Sequence, residues 1–249
     1  MRIQIRRHTG NRKKVIILPF YLFTFLTFLL LLSSCSMTKN IPEDEQLFTG
    51  LKKIVYEDEA KDSPFDEHLT ATKEELEAAL AAEPNGALFG SSYYTLPWSW
   101  HLWVYNKYAG KESAFAKWMT KSFGKAPVTI SQVKPEMRSV VAASVLRSHG
   151  YFHGKVASEI VKTGNPRKEK VRYQVDMGPL FLLDSISYVN FPPEAMAMID
   201  TTLAEREIKR GDPFDIATLD AERTRLSELF RNNGFYYYQQ GYASYLADT

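Results

Sequence analysis

Apolar residues run through positions 15–32 without a single charge, directly behind a basic stretch that holds Arg2, Arg6, Arg7, Arg12, Lys13 and Lys14. That pairing predicts a secretory signal; Pro19 and the place at the extreme N-terminus argue against a membrane span. Beyond it the apolar positions become periodic. Residues 51–56 predict a strand. Residues 72–80 predict a helix, with Thr72 as its cap and Glu75 at the capping-box spacing, stopped by Pro84-Asn85-Gly86. Residues 111–123 have helical spacing, with Phe115, Trp118, Met119 and Ser122 on one face. A helix is expected over 135–149, with Pro135 in its first turn and Val140, Val141, Ser144 and Val145 forming much of its inner stripe. Strands over 151–161 and 170–175 make a hairpin around Gly164-Asn165-Pro166, and Gly178-Pro179 closes the unit. A strand over 182–189, a helix over 195–204 opened by Pro192 and Pro193, a loop at Gly211-Asp212-Pro213, a helix over 217–233 and a Tyr-rich strand after Gly234 complete the series.

Within that series one block occurs twice. Val145-Leu146-Arg147-Ser148-His149-Gly150-Tyr151-Phe152 returns as Leu229-Phe230-Arg231-Asn232-Asn233-Gly234-Phe235-Tyr236, at a constant offset of 84 residues. Each copy reads as a helix end closed by a left-handed glycine, a conformation only glycine adopts without a Cβ penalty. Leu51, Ile54 and Tyr56 align with Leu183, Ile186 and Tyr188 at an offset of 132, so the first copy carries 48 extra residues before its second helix. The extra length coincides with residues 88–126, which hold all four tryptophans. The expected fold is therefore α+β, with two tandem strand-helix-helix-strand-strand units, the first carrying an aromatic-rich insertion and the second incomplete. The expected boundaries are a signal over 1–34, a tether over 35–49, a first unit over 50–179 with its insertion at about 88–126, and a second, truncated unit over 180–249.

Composition changes the picture at one residue. Leu32-Ser33-Ser34-Cys35 resembles a bacterial lipobox, in which the peptide is cut before a cysteine that then carries lipid. Cys35 is the only cysteine, so the chain can form neither an internal disulfide nor a cysteine metal cluster. Ser36 follows it and the first acidic residue is Glu43; similarity to known sorting signals implies the outer membrane, with the protein body on its periplasmic face. A multiply acylated cysteine gives the stable anchoring that one chain does not. Without residues 1–34, 25 Lys and Arg face 29 Asp and Glu, so the basic balance belongs to the signal and a nucleic-acid partner is not expected.

The order strand-helix-helix-strand-strand with Gly-aromatic after the second helix resembles the POTRA domain. Lys209-Arg210-Gly211-Asp212-Pro213-Phe214 is similar to that family's Lys-x-Gly-Asp-Pro-aromatic loop, and residues 226–235 to its helix end. Cys35-Ser36-Met37-Thr38-Lys39-Asn40-Ile41-Pro42-Glu43, Leu47-Phe48-Thr49-Gly50 and Leu88-Phe89-Gly90-Ser91 resemble the lipoproteins of the translocation and assembly module, within the Bam/Tam outer-membrane assembly superfamily. The resemblance covers essentially all of the mature chain. It implies a periplasmic arm that receives unfolded outer-membrane proteins, joined to a C-terminal barrel and facing an inner-membrane-anchored partner. It also implies that the strand after the glycine turn is a free edge, which nominates Lys155, Val156, Ala157, Ser158 and Glu159 as the client-binding strand. In the first unit Val175 ends the last strand; its counterpart is position 259, past Thr249, so this chain is expected to be an N-terminal fragment of a longer barrel protein or a truncated gene product.

The remaining candidates for chemistry are few. No catalytic constellation, cofactor motif or complete metal-ligand set is expected. His149 and His153 are four apart, but the helix ends between them; Glu67-His68 lacks the second histidine of a zinc-protease helix. Residues 162–170 are basic and sit at a hairpin turn. Trp98, Trp100 and Trp103 have two readings: a satellite core under the insertion, or an exposed aromatic platform. The second makes a periplasmic glycan- or lipid-binding lipoprotein the alternative function. Replacing Cys35 by Ala is expected to leave an unprocessed, inner-membrane-held precursor. Mass spectrometry of the mature wild type showing an intact bond between residues 34 and 35 refutes the assignment.

Overall fold

Alternate residues of one strand, Val171, Tyr173 and Val175, are completely buried, and the chain is arranged around them. The computed structural model describes residues 37–57 and 64–246; Cys35 and the uncharged stretch 15–32 lie outside them. The fold is mixed α+β. Strands β1 (Leu47–Leu51), β2 (Val55–Glu57), β3 (Lys155–Lys162) and β4 (Lys168–Asp176) form one sheet of order β1-β4-β2, with β3 also pairing β4. β2 runs parallel to β4, with Val55 opposite Gln174. β3 and β4 flank a turn at residues 163–167, which is long enough only for an antiparallel pair. No helix among the described residues is long and apolar enough to cross a membrane.

One compact unit takes the described residues of Met1–Gly50 with Glu83–Gln132 and Thr163–Glu169. The segment expected as a tether is packed here: Ile41, Leu47 and Phe48 are buried, and Ile41 and Leu47 share a core with Leu102. Arg167 fixes it by donating to the Ile41 and Glu43 carbonyls at 2.6 and 3.2 Å. Residues 88–126 contribute α2 (Trp100–Tyr108) and α3 (Ala114–Phe123) and no strand of the sheet. Ser99 and Ser113 cap these helices, each accepting from the backbone N–H three residues on. α3 therefore starts three residues later than the periodicity suggested.

The other unit takes the described residues of Leu51–Ala82, with Val133–Lys162 and Lys170–Thr249. Helix α1 (Asp66–Leu80) begins before the expected Thr72, with Asp66 and Glu67 favourably placed in its first turn. Thr72 is no cap: it is buried mid-helix, and its hydroxyl donates to the His68 carbonyl. A short turn, α4 (Ile130–Val133), precedes α5 (Pro135–Ser148). The end of α1 has no basic residue of its own; Arg138 of α5 supplies one, donating to the Ala79 and Ala81 carbonyls at 3.3 and 2.6 Å. The inner stripe of α5 is Pro135, Ser139, Ala142 and Leu146, and the expected Val140 and Val141 are 63% and 52% exposed. Four-residue spacing alone left the phase of this helix open, and its contact with α1 and β3 settles it.

The duplicated block is duplicated in its hydrogen bonds. The Tyr151 N–H reaches the Leu146 carbonyl and the Gly150 N–H the Arg147 carbonyl; 84 residues on, Phe235 reaches Phe230 and Gly234 reaches Arg231. Both are Schellman closures, with Gly150 and Gly234 at φ of +85° and +99°. The strand expected at once after Gly150 starts only at Lys155. After Gly234 turns and a short 3-10 helix (Gln240–Tyr242) replace the expected strand.

Helices α6 (Pro193–Thr201) and α7 (Ile216–Asn232) enclose a core of Ala195, Ile199, Leu226 and Phe230. The expected strand over 182–189 does not form. Its pairing is reduced to one isolated antiparallel bridge, Leu182 with Pro213, in which the Leu183 N–H donates to the Asp212 carbonyl and the Leu183 carbonyl accepts from Gly211. Phe181 accepts from the Phe214 N–H and donates to the Gly150 carbonyl.

The two glycines differ in what surrounds them. A Cβ on Gly150 would lie 2.7 Å from the Phe214 carbonyl oxygen, whereas one on Gly234 would meet nothing within 4 Å. Gly234→Ala is expected to cost about 1–2 kcal/mol, the strain of a left-handed residue with a side chain. Gly150→Ala adds a backbone overlap, for a total of about 2–5 kcal/mol. Denaturant unfolding of the two variants checks this; equal losses would refute the packing argument.

Candidate functional site

β3 pairs only with β4 among the described residues, so its outer backbone groups line a sheet edge. Gly154 lets the strand start close under α5: a Cβ there would come within 2.7 Å of Leu146 Cδ1. Further along, the two elements part into an open groove of about 420 Å³, lined by Glu136, Val140 and Arg147 of α5 and by Lys155, Val156 and Ser158 of β3. Val140 is the exposed apolar residue that the sequence had assigned to the interior. Val156 and Ser158 are half-buried, and Lys155, Ala157 and Glu159 are exposed. Glu159 is held by Arg172 at 3.2 Å, an exposed pair that orients the strand more than it stabilises it. β3 thus offers an edge unpaired among the described residues, and the groove beside it offers apolar side chains and charges of both signs, the requirements for receiving an extended peptide.

The aromatic segment makes a second surface, on the other compact unit. Trp98 and Trp100 are 41% and 42% exposed, so they do not form a closed satellite core. Trp98 meets Trp100 edge-on at 5.9 Å, and Trp100 stacks on the half-buried Trp103 at 5.3 Å. The Lys107 ammonium sits 4.5 Å from the Trp103 ring centre. Tyr108, Phe115, Trp118 and Phe123 continue as a chain of tilted and edge-on rings, with Phe115 and Trp118 more than half exposed. The face expected on α3 is thus outward; its buried residue is Ala116.

Two polar clusters were not legible as such in the sequence. His149 does not pair with His153, whose ring packs on Phe181. Its Nδ1 lies 2.6 Å from Asp215 Oδ2 and its Nε2 lies 2.8 Å from Glu75 Oε2. His68 stands beside it, with Nε2 on the His149 carbonyl at 2.9 Å and Nδ1 at 3.8 Å from Asp215 Oδ2. The signal that could have found the first cluster is Asp215, a capping residue type just ahead of the helix expected over 217–233.

The second cluster surrounds Glu222, a fully buried carboxylate on α7. Arg225 donates to both of its oxygens, at 2.6 and 2.9 Å, and Tyr188 Oη and the Glu207 N–H complete the shell at 2.8 and 2.9 Å. Burial works to raise the Glu222 pKa, but the hydrogen bonds from Arg225, Glu207 and Tyr188 and the Arg225 charge outweigh it and hold the carboxyl below its usual range. Burial first, then the bond to Glu222, pushes the Tyr188 hydroxyl up to about 12. Every partner is spoken for, which makes this a structural network and not a reactive site.

Comparison with protein-family models, curated proteins and solved structures returned no match.

Because the Glu222 carboxyl is depressed in the folded state, its stabilisation is present above the unfolded carboxylate value and lost as pH falls through the folded one. Glu222→Gln is expected to cost about 3 kcal/mol at neutral pH, the scale of breaking a buried pair. The gap to wild type should shrink as pH falls below the ordinary carboxylate value of about 4.3 and close only below the depressed folded value, where the native carboxyl is protonated too. Urea midpoints measured across pH check this; a gap that stays constant would refute it.

Proposed function

We propose that this chain is the periplasmic arm of an outer-membrane protein assembly lipoprotein, anchored through Cys35, and that it holds unfolded outer-membrane proteins by adding a client strand to β3. The observation that carries the reading is the β3 edge, unpaired among the described residues and bordered by the α5 groove with Val140 and Val156 on its walls. Main-chain pairing tolerates many sequences, as an assembly factor requires, and alternate side chains of the added strand would rest in the groove. The tandem POTRA-like reading is supported by the glycine closures repeated at an offset of 84 and by a last strand, β4, lying between β3 and the first strands. The half-exposed Trp98 and Trp100 support a second reading, a periplasmic glycan or lipid binder that uses this ring surface.

Neighbouring N–H groups of a strand point to opposite edges. Of Ala157→Pro and Ser158→Pro, one therefore removes a bond to β4 and lowers the thermal midpoint, and the other removes only an outward donor. The variant that keeps its midpoint is expected to lose most photo-cross-linking to an unfolded outer-membrane-protein peptide, with stability changed by about 1 kcal/mol or less. Undiminished cross-linking on an intact fold would refute strand addition at β3. A shift of tryptophan fluorescence on adding soluble muropeptides, lost in Trp100→Ala, would move the function to the aromatic face.

A further inference from the structure

We propose that His68, His149 and Asp215 form a binding site for one divalent transition-metal ion, with zinc as the fitting example, and that the ion ties the start of α7 to α1 and to the end of α5.

The argument is an account of donors and acceptors. A carbonyl oxygen only accepts, so His68 Nε2, at 2.9 Å from the His149 carbonyl, carries the hydrogen, and the Nδ1 of a neutral His68 carries a lone pair. That lone pair faces Asp215 Oδ2 at 3.8 Å. His149 meets ionised carboxylates from both nitrogens: Glu75 at Nε2 and Asp215 at Nδ1. A neutral imidazole has one N–H, so one of those contacts sets acceptor against acceptor. With the hydrogen on Nε2 towards Glu75, His149 Nδ1, His68 Nδ1 and Asp215 Oδ2 all carry lone pairs, and one ligand atom of each residue lies within 4.8 Å of the others. A proton on His149 Nδ1 would satisfy one pair and leave His68 unserved. A metal cation satisfies all three.

The surroundings are those of an imidazole-ligated metal. Each histidine has its outer nitrogen held by an acceptor, a carboxylate for His149 and a carbonyl for His68, which fixes the ring and its tautomer. Asp215 divides its two oxygens. Oδ1 caps α7, accepting from the Ala217 and Thr218 N–H groups at 2.7 and 3.3 Å, and Oδ2 is left for the ion. The three side chains are 12–16% exposed, enough for an ion to enter and for water to fill a fourth position. Two nitrogens and one oxygen suit zinc and its neighbours and not calcium or magnesium. At zinc–ligand distances of about 2.0–2.1 Å two tetrahedral ligands stand roughly 3.3 Å apart. The ion therefore seats when the His149–Asp215 contact, at 2.6 Å, opens by about 0.7 Å and the His68–Asp215 contact, at 3.8 Å, closes by about 0.5 Å.

The test uses the tag-free mature protein, stripped with a chelator and titrated with Zn²⁺ by calorimetry and with Co²⁺ by visible absorption. The expected result is one ion per chain, a tetrahedral cobalt spectrum and a thermal midpoint that rises with metal. Asp215→Asn keeps the helix cap, since Asn caps as well as Asp, but is expected to weaken binding about 100-fold, as is His68→Gln. Glu75→Gln should weaken it about 10–100-fold through the orientation of His149. His153→Gln should leave it unchanged. The proposal is overturned if the wild type binds neither ion stoichiometrically, or if His68→Gln and Glu75→Gln, both folded by circular dichroism, bind like wild type. Binding lost in His153→Gln would place the ion elsewhere and overturn it as well.

Discussion

Gly150 is the point on which much of this chain turns. It must be left-handed to close α5, and it must lack a side chain because the Phe214 carbonyl stands where a Cβ would be. Its own carbonyl accepts from Phe181, which in turn accepts from Phe214, so three separate segments are laced through one residue. Phe152, Phe181 and Phe214 pack around the lacing, with ring centres 4.9–5.2 Å apart. His149 precedes the glycine and Asp215 follows Phe214. The close backbone approach therefore also delivers the imidazole to the carboxylate, and the metal proposal depends on the same geometry.

The sheet edge follows from a different constraint. β4 is used on both sides, and its alternate residues Val171, Tyr173 and Val175 are sealed in the core. β3 is used on one side and has no fully buried residue along its length. A strand in that position is open to indiscriminate pairing unless it carries charge. Lys155, Glu159 and Lys162 provide it, while the backbone between them has no strand on its outer side among the described residues. The proposed function rests on this division of labour between a sealed strand and a guarded one.

How far the sequence reached differs from element to element. The helix ends at Gly150 and Gly234 were legible because a Schellman closure is local: a glycine and bonds spanning six residues suffice. The helices around 135–149 and 217–233 were placed within a residue or so at their C-terminal ends for the same reason. The phase of α5 was misread because its buried stripe includes Ser139 and Ala142 while Val140 and Val141 face out. Hydrophobicity says which residues prefer burial, but the groove beside β3 leaves Val140 exposed. Residues 182–189 have strand composition, yet a strand exists only with a neighbour to bond, and composition cannot supply one.

By itself the sequence determined the basic and then uncharged N-terminal stretches, the single cysteine, the duplicated helix-glycine-aromatic block, the α+β character and the concentration of aromatics in one segment. These are matters of composition and of contacts between near neighbours. Only the tertiary structure decided which faces are buried, that residues from Ile41 onward are packed and not a tether, and that Trp98 and Trp100 stay half exposed. It alone brought His68, His149 and Asp215 together from three distant helix ends. Such meetings depend on how elements pack, and packing sums many weak contacts that no short window of sequence contains.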